Sequence, residues 1–170
     1  REKEISSLDF YMLALEMKGI TDRYGIPLII NDRIDIALAA GAAGVHIGQK
    51  DIPADIARRM IGKEMLLGVS VGSVGEARNA VRAGADYLGV GAMFPTETKP
   101  EAGFVSMEEL GKIRRAVDVP VVVIGGIGKE NAMLFKPMGI DGLAVVSAVI
   151  AQPDIKKAAA ELKSLFWGAD

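Results

Sequence analysis

Asp32 and Asp51 each stand shortly after an apolar segment of strand-like composition, "PLII" and "GVHIG". Neighbouring parallel strands lie ~4.8 Å apart, so carboxylates at their adjacent ends can share one cation. Two carboxylates, completed by substrate phosphates and water, are a usual way for a protein to bind Mg²⁺. Alternatively both aspartates cap helices, because "NDR" and "DIP" also suit helix starts. The spacing predicts a magnesium site, and a capping role stays open beside it.

A second set of polar residues lies in "PTETKP", residues 95–100. Thr96 and Thr98 supply hydroxyls and Lys99 supplies an ammonium group. With backbone amides, such groups bind phosphate oxygens. The alternative is a proline-bounded surface turn whose side chains are solvated. The segment is therefore a candidate anion site.

Two later segments, "GGIGKEN" and "VVSAV", carry Gly126 and Ser147. In barrels of alternating strands and helices, the loops after the last two strands are a recurrent phosphate site, built from glycine amides and a helix N-terminus. A glycine pair that only ends a strand is the alternative. Together, the three sets of residues indicate a site for a magnesium-bound diphosphate and a separate monophosphate.

The remaining reactive residue types indicate no other chemistry. His46 is the only histidine, and its position inside "GVHIGQ" favours a hydrogen-bonded core histidine over a catalytic base. The sequence holds no nucleophile–base pair at a clear spacing, no glycine-rich dinucleotide motif and no zinc-ligand pattern. What remains is displacement or ionisation of pyrophosphate, in which cations stabilise the leaving group and the protein positions two reactants.

These residues require secondary-structure elements that bring them together. Apolar segments predict six strands, at about 26–32, 44–49, 66–71, 87–94, 119–126 and 142–149. The strands are apolar on both faces, which is typical of a parallel sheet covered by helices. The segments "AAGAAGVHIG", "RAGADYLGVG" and "PMGIDGLAVV" repeat one pattern, a helix-ending glycine followed by a strand. Helices predicted at 73–84 and 106–116 begin with serine followed three residues later by glutamate, the capping-box pattern.

The positions of the polar groups favour a barrel over an open sheet. An open sheet concentrates its site at one switch point, whereas a barrel collects residues from the ends of several strands. Every predicted strand ends in a polar or glycine-rich feature, namely Asn31, Asp32, Asp51, Ser70, Thr96 to Lys99, Gly125 with Gly126, and Ser147. Because six strands cannot close an eight-stranded barrel, we expect one α/β domain over residues 1–170, a (β/α)8 TIM barrel lacking strand 1 and most of strand 2. Bare apolar edges are unfavourable, so we also expect a longer natural chain.

The composition supports a globular enzyme. The chain has 170 residues, is 50% hydrophobic, carries a net charge of −2 and contains no cysteine. The lack of cysteine excludes disulfides and thiolate metal ligands, no basic block favours nucleic acid, and the apolar runs are too short for a membrane span. We therefore expect a cytoplasmic enzyme that acts on small molecules, with homo-oligomerisation left open.

Segments along nearly the whole chain closely resemble the thiamine-phosphate synthase family, which belongs to a superfamily with thiazole tautomerases. The matching segments, in order, are "PLIINDRIDIALAAGAAGVHIGQKDIP", "GVS", "YLGVGAMFPTETKP", "VVVIGGI" and "GLAVVSAV". The resemblance implies a (β/α)8 barrel that joins hydroxymethylpyrimidine diphosphate to hydroxyethylthiazole phosphate and releases pyrophosphate. It also implies a course through a pyrimidine carbocation that the thiazole nitrogen traps.

The resemblance further implies roles for individual residues. Asp32 and Asp51 would bind Mg²⁺. The pyrimidine diphosphate and departing pyrophosphate would be held by Arg1, Lys3, Asn31, Ser70 and Lys99, of which Asn31, Ser70 and Lys99 would be catalytic. The thiazole phosphate would be held by Thr96, Thr98, Gly126, Val146 and Ser147. A glutamine that the family places before the arginine is absent from this sequence.

Two other functions are weighed against this one. A thiazole tautomerase shares the fold and the thiazole-phosphate site but needs a base near the thiazole, for which His46 is a poor candidate. It also resembles the synthase least in the magnesium and "TETK" region, which is intact here. The second is a noncatalytic phosphate-binding barrel. Pyrophosphate release from the two substrates with Mg²⁺ separates the synthase from both alternatives.

Overall fold

The computed structural model describes residues 5–95 and 103–168. Within those ranges, strands and helices alternate from the first strand onward, as predicted. The helices are α1 Ser7–Arg23, α2 Ile34–Ala40, α3 Ala54–Ile61, α4 Val74–Arg82, α5 Met107–Ala116, a 3-10 helix Ala132–Met138, α6 Ser147–Ile150 and α7 Ile155–Trp167. The strands are β1 Ile29–Asn31, β2 Gly44–Ile47, β3 Leu66–Val71, β4 Tyr87–Val90, β5 Val121–Ile124 and β6 Gly142–Ala144. None of the helices in the described part is long and apolar enough to cross a membrane.

The chain forms two compact units, each with parallel strands. The first comprises Arg1–Ser70 and Ala80–Asp86, and in it β1 pairs with β2 and β2 with β3. The second comprises Val71–Asn79 and Tyr87–Asp170, and in it β4 pairs with β5 and β5 with β6. Parallel pairing confirms that prediction, and the single-domain assignment stays a prediction.

Both sets of strands bury one apolar face. In the first unit, Val45 and Leu67 are fully buried, and in the second unit Leu88, Val121 and Val123 are fully buried. Successive side chains of a strand point to opposite faces, so the residues between these belong to the other face. That second face is less buried and carries the polar residues described below.

The repeated helix–glycine–strand pattern corresponds to a repeated connection. Gly41, Gly84 and Gly139 end their helices with positive φ angles of 60°, 95° and 68°. Glycine adopts this conformation without the steric cost that other residues incur, so the predicted helix ends are confirmed. Two residues later, the backbone N–H of Asp86 donates to Leu67 O and that of Asp141 donates to Val121 O.

The carboxylates of Asp86 and Asp141 also accept hydrogen bonds from the backbone of the neighbouring strand. Asp86 Oδ2 accepts from Leu67 N at 2.7 Å, and Asp141 Oδ2 accepts from Val121 N at 2.8 Å. Each carboxylate thereby satisfies an N–H at the start of a strand.

Asp141→Ala should lower the free energy of unfolding by about 1–2 kcal/mol, because Val121 N loses its acceptor. Asp141→Asn keeps an acceptor oxygen and should lose less. Urea unfolding measures both, and Asp118→Ala, at an exposed position nearby, is the control. Equal losses for Asp141→Ala and Asp118→Ala would show that the carboxylate bond is dispensable.

The predicted helix starts are confirmed, but the glutamates of the capping-box pattern bond to other groups than expected. Ser73 Oγ accepts from Glu76 N and Ser106 Oγ accepts from Glu109 N, as expected of N-caps. The glutamates, however, do not return a bond to the serine backbone within the described residues. Glu109 Oε1 accepts from Val74 N instead, and so ties α5 to the start of α4.

Several predicted strand boundaries were wrong. β1 begins at residue 29 rather than 26, and β4 ends at residue 90 rather than 94. Just beyond β4, the backbone N–H of Ala92 donates to Gly103 O. β6 ends at Ala144, so Ser147 is not late in a strand but is the first residue of α6. There Val149 N and Ile150 N both donate to Val146 O, which makes a helical turn. A short apolar run fits either element, which is why composition misassigned it.

Candidate active site

In the first unit, three polar side chains share one face of the strands. Asn31 pairs in register with His46, and His46 pairs with Gly68. Register partners in parallel strands point to the same face, and so does Ser70, two residues after Gly68. Asn31, His46 and Ser70 are half-buried, whereas Val45 on the opposite face is fully buried. The structure therefore brings the predicted Asn31 and Ser70 to one face.

Ser70 is held by two side chains that come from β2 and the loop after it. His46 Nε2 lies 2.9 Å from Ser70 Oγ, and Gln49 Nε2 donates to Ser70 O at 2.7 Å. The prediction that His46 is hydrogen-bonded is confirmed, although the ring is half-buried rather than in the core. Sequence reasoning did not foresee that its partner is a candidate site residue, and it missed Gln49.

Asp32 occupies an unusual backbone conformation at the end of β1. Its φ is 63°, and among the described residues it is the one non-glycine residue with positive φ. Asp32 N donates to His46 O at 2.8 Å, and Arg33 N donates to Asn31 O at 2.8 Å, which defines the turn. The N-cap of α2 is Arg33 rather than Asp32. Strained residues of this kind cluster at functional sites.

Asp51 closes the turn after β2. Its Oδ2 accepts from Gly48 N at 2.7 Å, and its own N–H donates to Gly48 O at 3.2 Å. Pro53, not Asp51, is the N-cap of α3, so the capping interpretation of Asp51 was wrong. Within the described residues, Asp51 Oδ1 makes no hydrogen bond, and its lone pairs remain available to a cation.

Asp32 and Asp51 are the carboxylates of this unit that could hold a magnesium ion. They follow β1 and β2, which are adjacent and parallel, so their carboxylates belong to the same edge. No group of three or more His, Cys, Asp or Glu side chains suited to a metal occurs among the described residues. Mg²⁺ usually takes one or two carboxylates and fills its other positions with water and phosphate. The donor set therefore suits an ion that arrives with a phosphorylated substrate.

In the second unit, Gly125 and Gly126 end β5 in close contact with residues 92–95. Their φ angles are 95° and 63°. A Cβ on Gly126 would lie 2.5 Å from Pro95 O, and one on Gly125 would lie 2.7 Å from Ala92 Cα. No larger residue fits either position without moving the backbone, so this close packing requires glycine at both.

The loop after β5 is held by a residue that the sequence analysis did not single out. Asn131 Nδ2 donates to Gly126 O at 2.9 Å, and Asn131 Oδ1 accepts from Gly128 N at 3.0 Å. One amide thus fixes both sides of the loop. Asn131 is the last letter of "GGIGKEN", but only the glycines of that segment suggested a role.

Val146 and Ser147 lie at the edge where Gly126 lies. Ile124 and Ala144 are register partners, and Gly126 and Val146 each follow their partner by two residues. Val146 is 42% exposed and Ser147 is exposed, so both are accessible within this unit. Gln152 Nε2 donates to Ser147 O at 3.2 Å and holds the short α6. The structure therefore brings Gly126, Val146 and Ser147 to one edge.

The other predicted site residues fall outside the described part of the chain. These are Arg1, Lys3, Thr96, Thr98 and Lys99. Their roles stay predictions.

Comparison with known proteins places the chain in a family. A family model described as thiamine monophosphate synthase matches residues 1–149. A thiamine-phosphate synthase of Clostridium beijerinckii is 62% identical over 166 residues, covering 98% of this chain and 79% of that protein. One of Ruminiclostridium cellulolyticum is 58% identical with the same coverage.

A solved structure agrees with these relatives. Thiamine phosphate pyrophosphorylase from Pyrococcus furiosus superposes with a TM-score of 0.91 at 39% identity, covering 98% of this chain and 80% of that one. This likeness confirms the predicted fold class. The motifs, the relatives and the structure agree, and the chain belongs to the thiamine monophosphate synthase family of enzymes.

Proposed function

We propose that the protein joins hydroxymethylpyrimidine diphosphate to hydroxyethylthiazole phosphate, in the presence of Mg²⁺, to give thiamine phosphate and pyrophosphate. One observation carries the proposal within the family. Asn31, Asp32, Asp51 and Ser70 come from the carboxyl ends of three neighbouring parallel strands or the turns after them. That edge collects the carboxylates and hydrogen-bond donors that a metal-bound diphosphate requires.

On the diphosphate side, the chain's own groups act on the leaving group. The amide of Asn31 and the hydroxyl of Ser70 donate to diphosphate oxygens, and negative charge grows on those oxygens as the C–O bond breaks. Donors held in place before the reaction stabilise that charge more than mobile water does. Asp32 and Asp51 would hold Mg²⁺, which neutralises diphosphate charge when bound. The family resemblance adds Arg1, Lys3 and Lys99 as cations.

On the thiazole side, the chain binds and orients the second reactant. Gly126, Val146 and Ser147, which follow β5 and β6, would bind the thiazole phosphate, and the resemblance adds Thr96 and Thr98. The thiazole nitrogen then forms the new C–N bond with the pyrimidine carbocation. No protein nucleophile is required, since positioning two reactants supplies much of the rate.

A thiazole tautomerase is the main alternative. It needs a base beside the thiazole phosphate. His46, the only histidine of the sequence, already contacts Ser70 Oγ through Nε2 at 2.9 Å, on the diphosphate side of the proposed site, which makes it a poor candidate for that base. A noncatalytic phosphate-binding protein is the other alternative, and it has no use for a carboxylate pair at the edge that carries Asn31 and Ser70. Both observations favour the synthase.

Mixing the protein with both substrates and Mg²⁺ should release one pyrophosphate for each thiamine phosphate formed. Neither substrate by itself should release pyrophosphate beyond the uncatalysed rate. A coupled pyrophosphate assay with chromatography of the product measures both. No release despite intact binding of the thiazole phosphate would favour the noncatalytic alternative. Isomerisation of a thiazole phosphate without the pyrimidine would favour the tautomerase.

A further inference from the structure

Two side chains outside the assigned site converge on Ser70. Gln49 binds its backbone carbonyl and His46 binds its hydroxyl, with donor–acceptor distances of 2.7 and 2.9 Å. Both come from the segment 46–51, which also supplies Asp51. Neither has a role in the function proposed above, so their common contact with Ser70 requires an explanation.

The chemistry of the hydroxyl determines the direction of the His46–Ser70 bond. A serine hydroxyl carries one hydrogen and accepts through two lone pairs, and a neutral imidazole has one donating and one accepting nitrogen. If His46 Nε2 accepts, the hydroxyl hydrogen points at the ring and only lone pairs are left to face an anion. If Nε2 donates, the hydroxyl hydrogen is free to donate elsewhere. An anionic ligand at Ser70 is therefore compatible with a donating Nε2.

We propose that His46 is a positioning residue for diphosphate binding. Its Nε2–H donates to Ser70 Oγ and so turns the hydroxyl hydrogen toward an oxygen of the diphosphate. The neutral ring is sufficient for this role, which involves no proton transfer. The inference rests on the proposed function in one respect, namely that Ser70 faces the diphosphate.

The surroundings of the ring support this role. The register partner of His46 on β3 is Gly68, which has no side chain beside the imidazole, and Ser70 follows two residues later on the same face. The ring is half-buried, so water competes less well for the bond than at an open surface. Gln49 holds the main chain of Ser70 in place. The Ser70 side chain can then still rotate about χ1 and about its C–O bond, and the bond to His46 restricts both rotations.

A set of four variants tests the proposal: His46→Leu, His46→Gln, Ser70→Ala and the double variant His46→Leu/Ser70→Ala. Ser70→Ala should lower kcat for pyrophosphate release about 100-fold, in the range found when one donor to a developing charge is lost. His46→Leu should lower kcat about 10-fold and change KM for the thiazole phosphate less than about twofold, because it acts through Ser70. The double variant should match Ser70→Ala within about twofold.

His46→Gln distinguishes orientation from general structural support. The glutamine Nε2 can reach a similar position and donate a hydrogen, but it cannot act as a base. We expect it to restore kcat to within about threefold of the wild type, as one retained hydrogen bond of ordinary strength allows. Thr21→Val is the matched control, because it removes a part-buried side-chain bond, from Thr21 Oγ1 to Lys18 O, outside the site. It should leave kcat unchanged.

Three results would overturn the proposal. The first is that His46→Leu lowers kcat by the same factor in the wild-type protein and in the Ser70→Ala variant, because the two residues would then act independently. The second is a His46→Gln variant as slow as His46→Leu, which would point to acid–base chemistry at the ring. The third is a loss of kcat that follows the melting temperature across all variants, Thr21→Val included.

Binding of inorganic pyrophosphate with Mg²⁺ separates this inference from the proposed function. Calorimetry should show a Kd raised about fivefold by His46→Leu, with no further change when Ser70 is already alanine. A wild-type protein that binds pyrophosphate in this pattern but produces no thiamine phosphate would refute the function and support the positioning role. A wild-type protein that binds no pyrophosphate would refute both.

Discussion

Asp51→Asn should reduce magnesium-dependent pyrophosphate release at least about 100-fold and leave the fold intact. Asparagine matches aspartate in shape, and its Oδ1 can still accept the Gly48 N–H that Asp51 Oδ2 accepts at 2.7 Å. The turn after β2 is thereby kept, while the negative charge that would attract the proposed cation is lost. Asp51→Ala removes both and should also weaken the turn.

Titration of turnover with Mg²⁺ is the measurement, and the melting temperature reports the fold. Asp51→Asn should need far more Mg²⁺ and melt within about 2 °C of the wild type. Asp55→Asn is the control, since Asp55 lies in the first turn of α3 and pairs at 3.7 Å with the exposed Arg59. Normal turnover in Asp51→Asn would mean that Asp51 serves only the turn.

Arg58→Met should cost about 3 kcal/mol of unfolding free energy, the largest stability effect that we expect from one surface-helix residue. Its guanidinium donates to three backbone carbonyls, those of Gly62, Met65 and Gly84, at 2.7, 2.8 and 2.8 Å. It also pairs with Asp86, whose carboxylate accepts from the start of β3. With the side chain only 17% exposed, water cannot replace these bonds when the arginine is lost.

Thermal unfolding should show a fall of about 6–12 °C for Arg58→Met. The neighbouring Arg59→Met is the matched control, because that side chain is 69% exposed and its ion pair with Asp55 spans 3.7 Å. An exposed pair of this kind contributes about 0–1 kcal/mol, so Arg59→Met should melt close to the wild type. Similar melting temperatures for the two variants would show that the Arg58 bonds do not stabilise the fold.

Much of the fold could be predicted because its signals are local. A glycine such as Gly139 ends a helix through its own backbone freedom, and Ser106 caps α5 three residues from its partner. The largely apolar composition of the strands predicted parallel pairing. These features depend on a few neighbouring residues, which the sequence lists side by side.

What could not be predicted depends on residues far apart in sequence. His46 and Ser70 are 24 residues apart, and their contact depends on the register of β2 with β3. Arg58 and Arg59 are adjacent and chemically identical, yet the helix turns one toward Gly84 and Asp86 and the other into solvent. The sequence does not show which face of α3 is covered, and so it cannot show which of the two arginines is buried.

The candidate site shows the same division. Asn31, Asp32, Asp51 and Ser70 could be found because each stands at or just after a predicted strand end. Asn131 could not be found in this way, because its two hydrogen bonds to residues 126–128 depend on a loop conformation that the sequence does not show. Ser147 was found for its position, but its element was assigned wrongly, since "VVSAV" fits a strand and a helix equally well.

The positive φ of Asp32 has a consequence for protein engineering. A side chain in the left-handed region costs about 1–2 kcal/mol, which glycine does not incur. A redesign that weighed only this backbone strain would select glycine here, and would delete a proposed cation ligand. Residue 32 should therefore be held fixed when stabilised variants of the enzyme are sought.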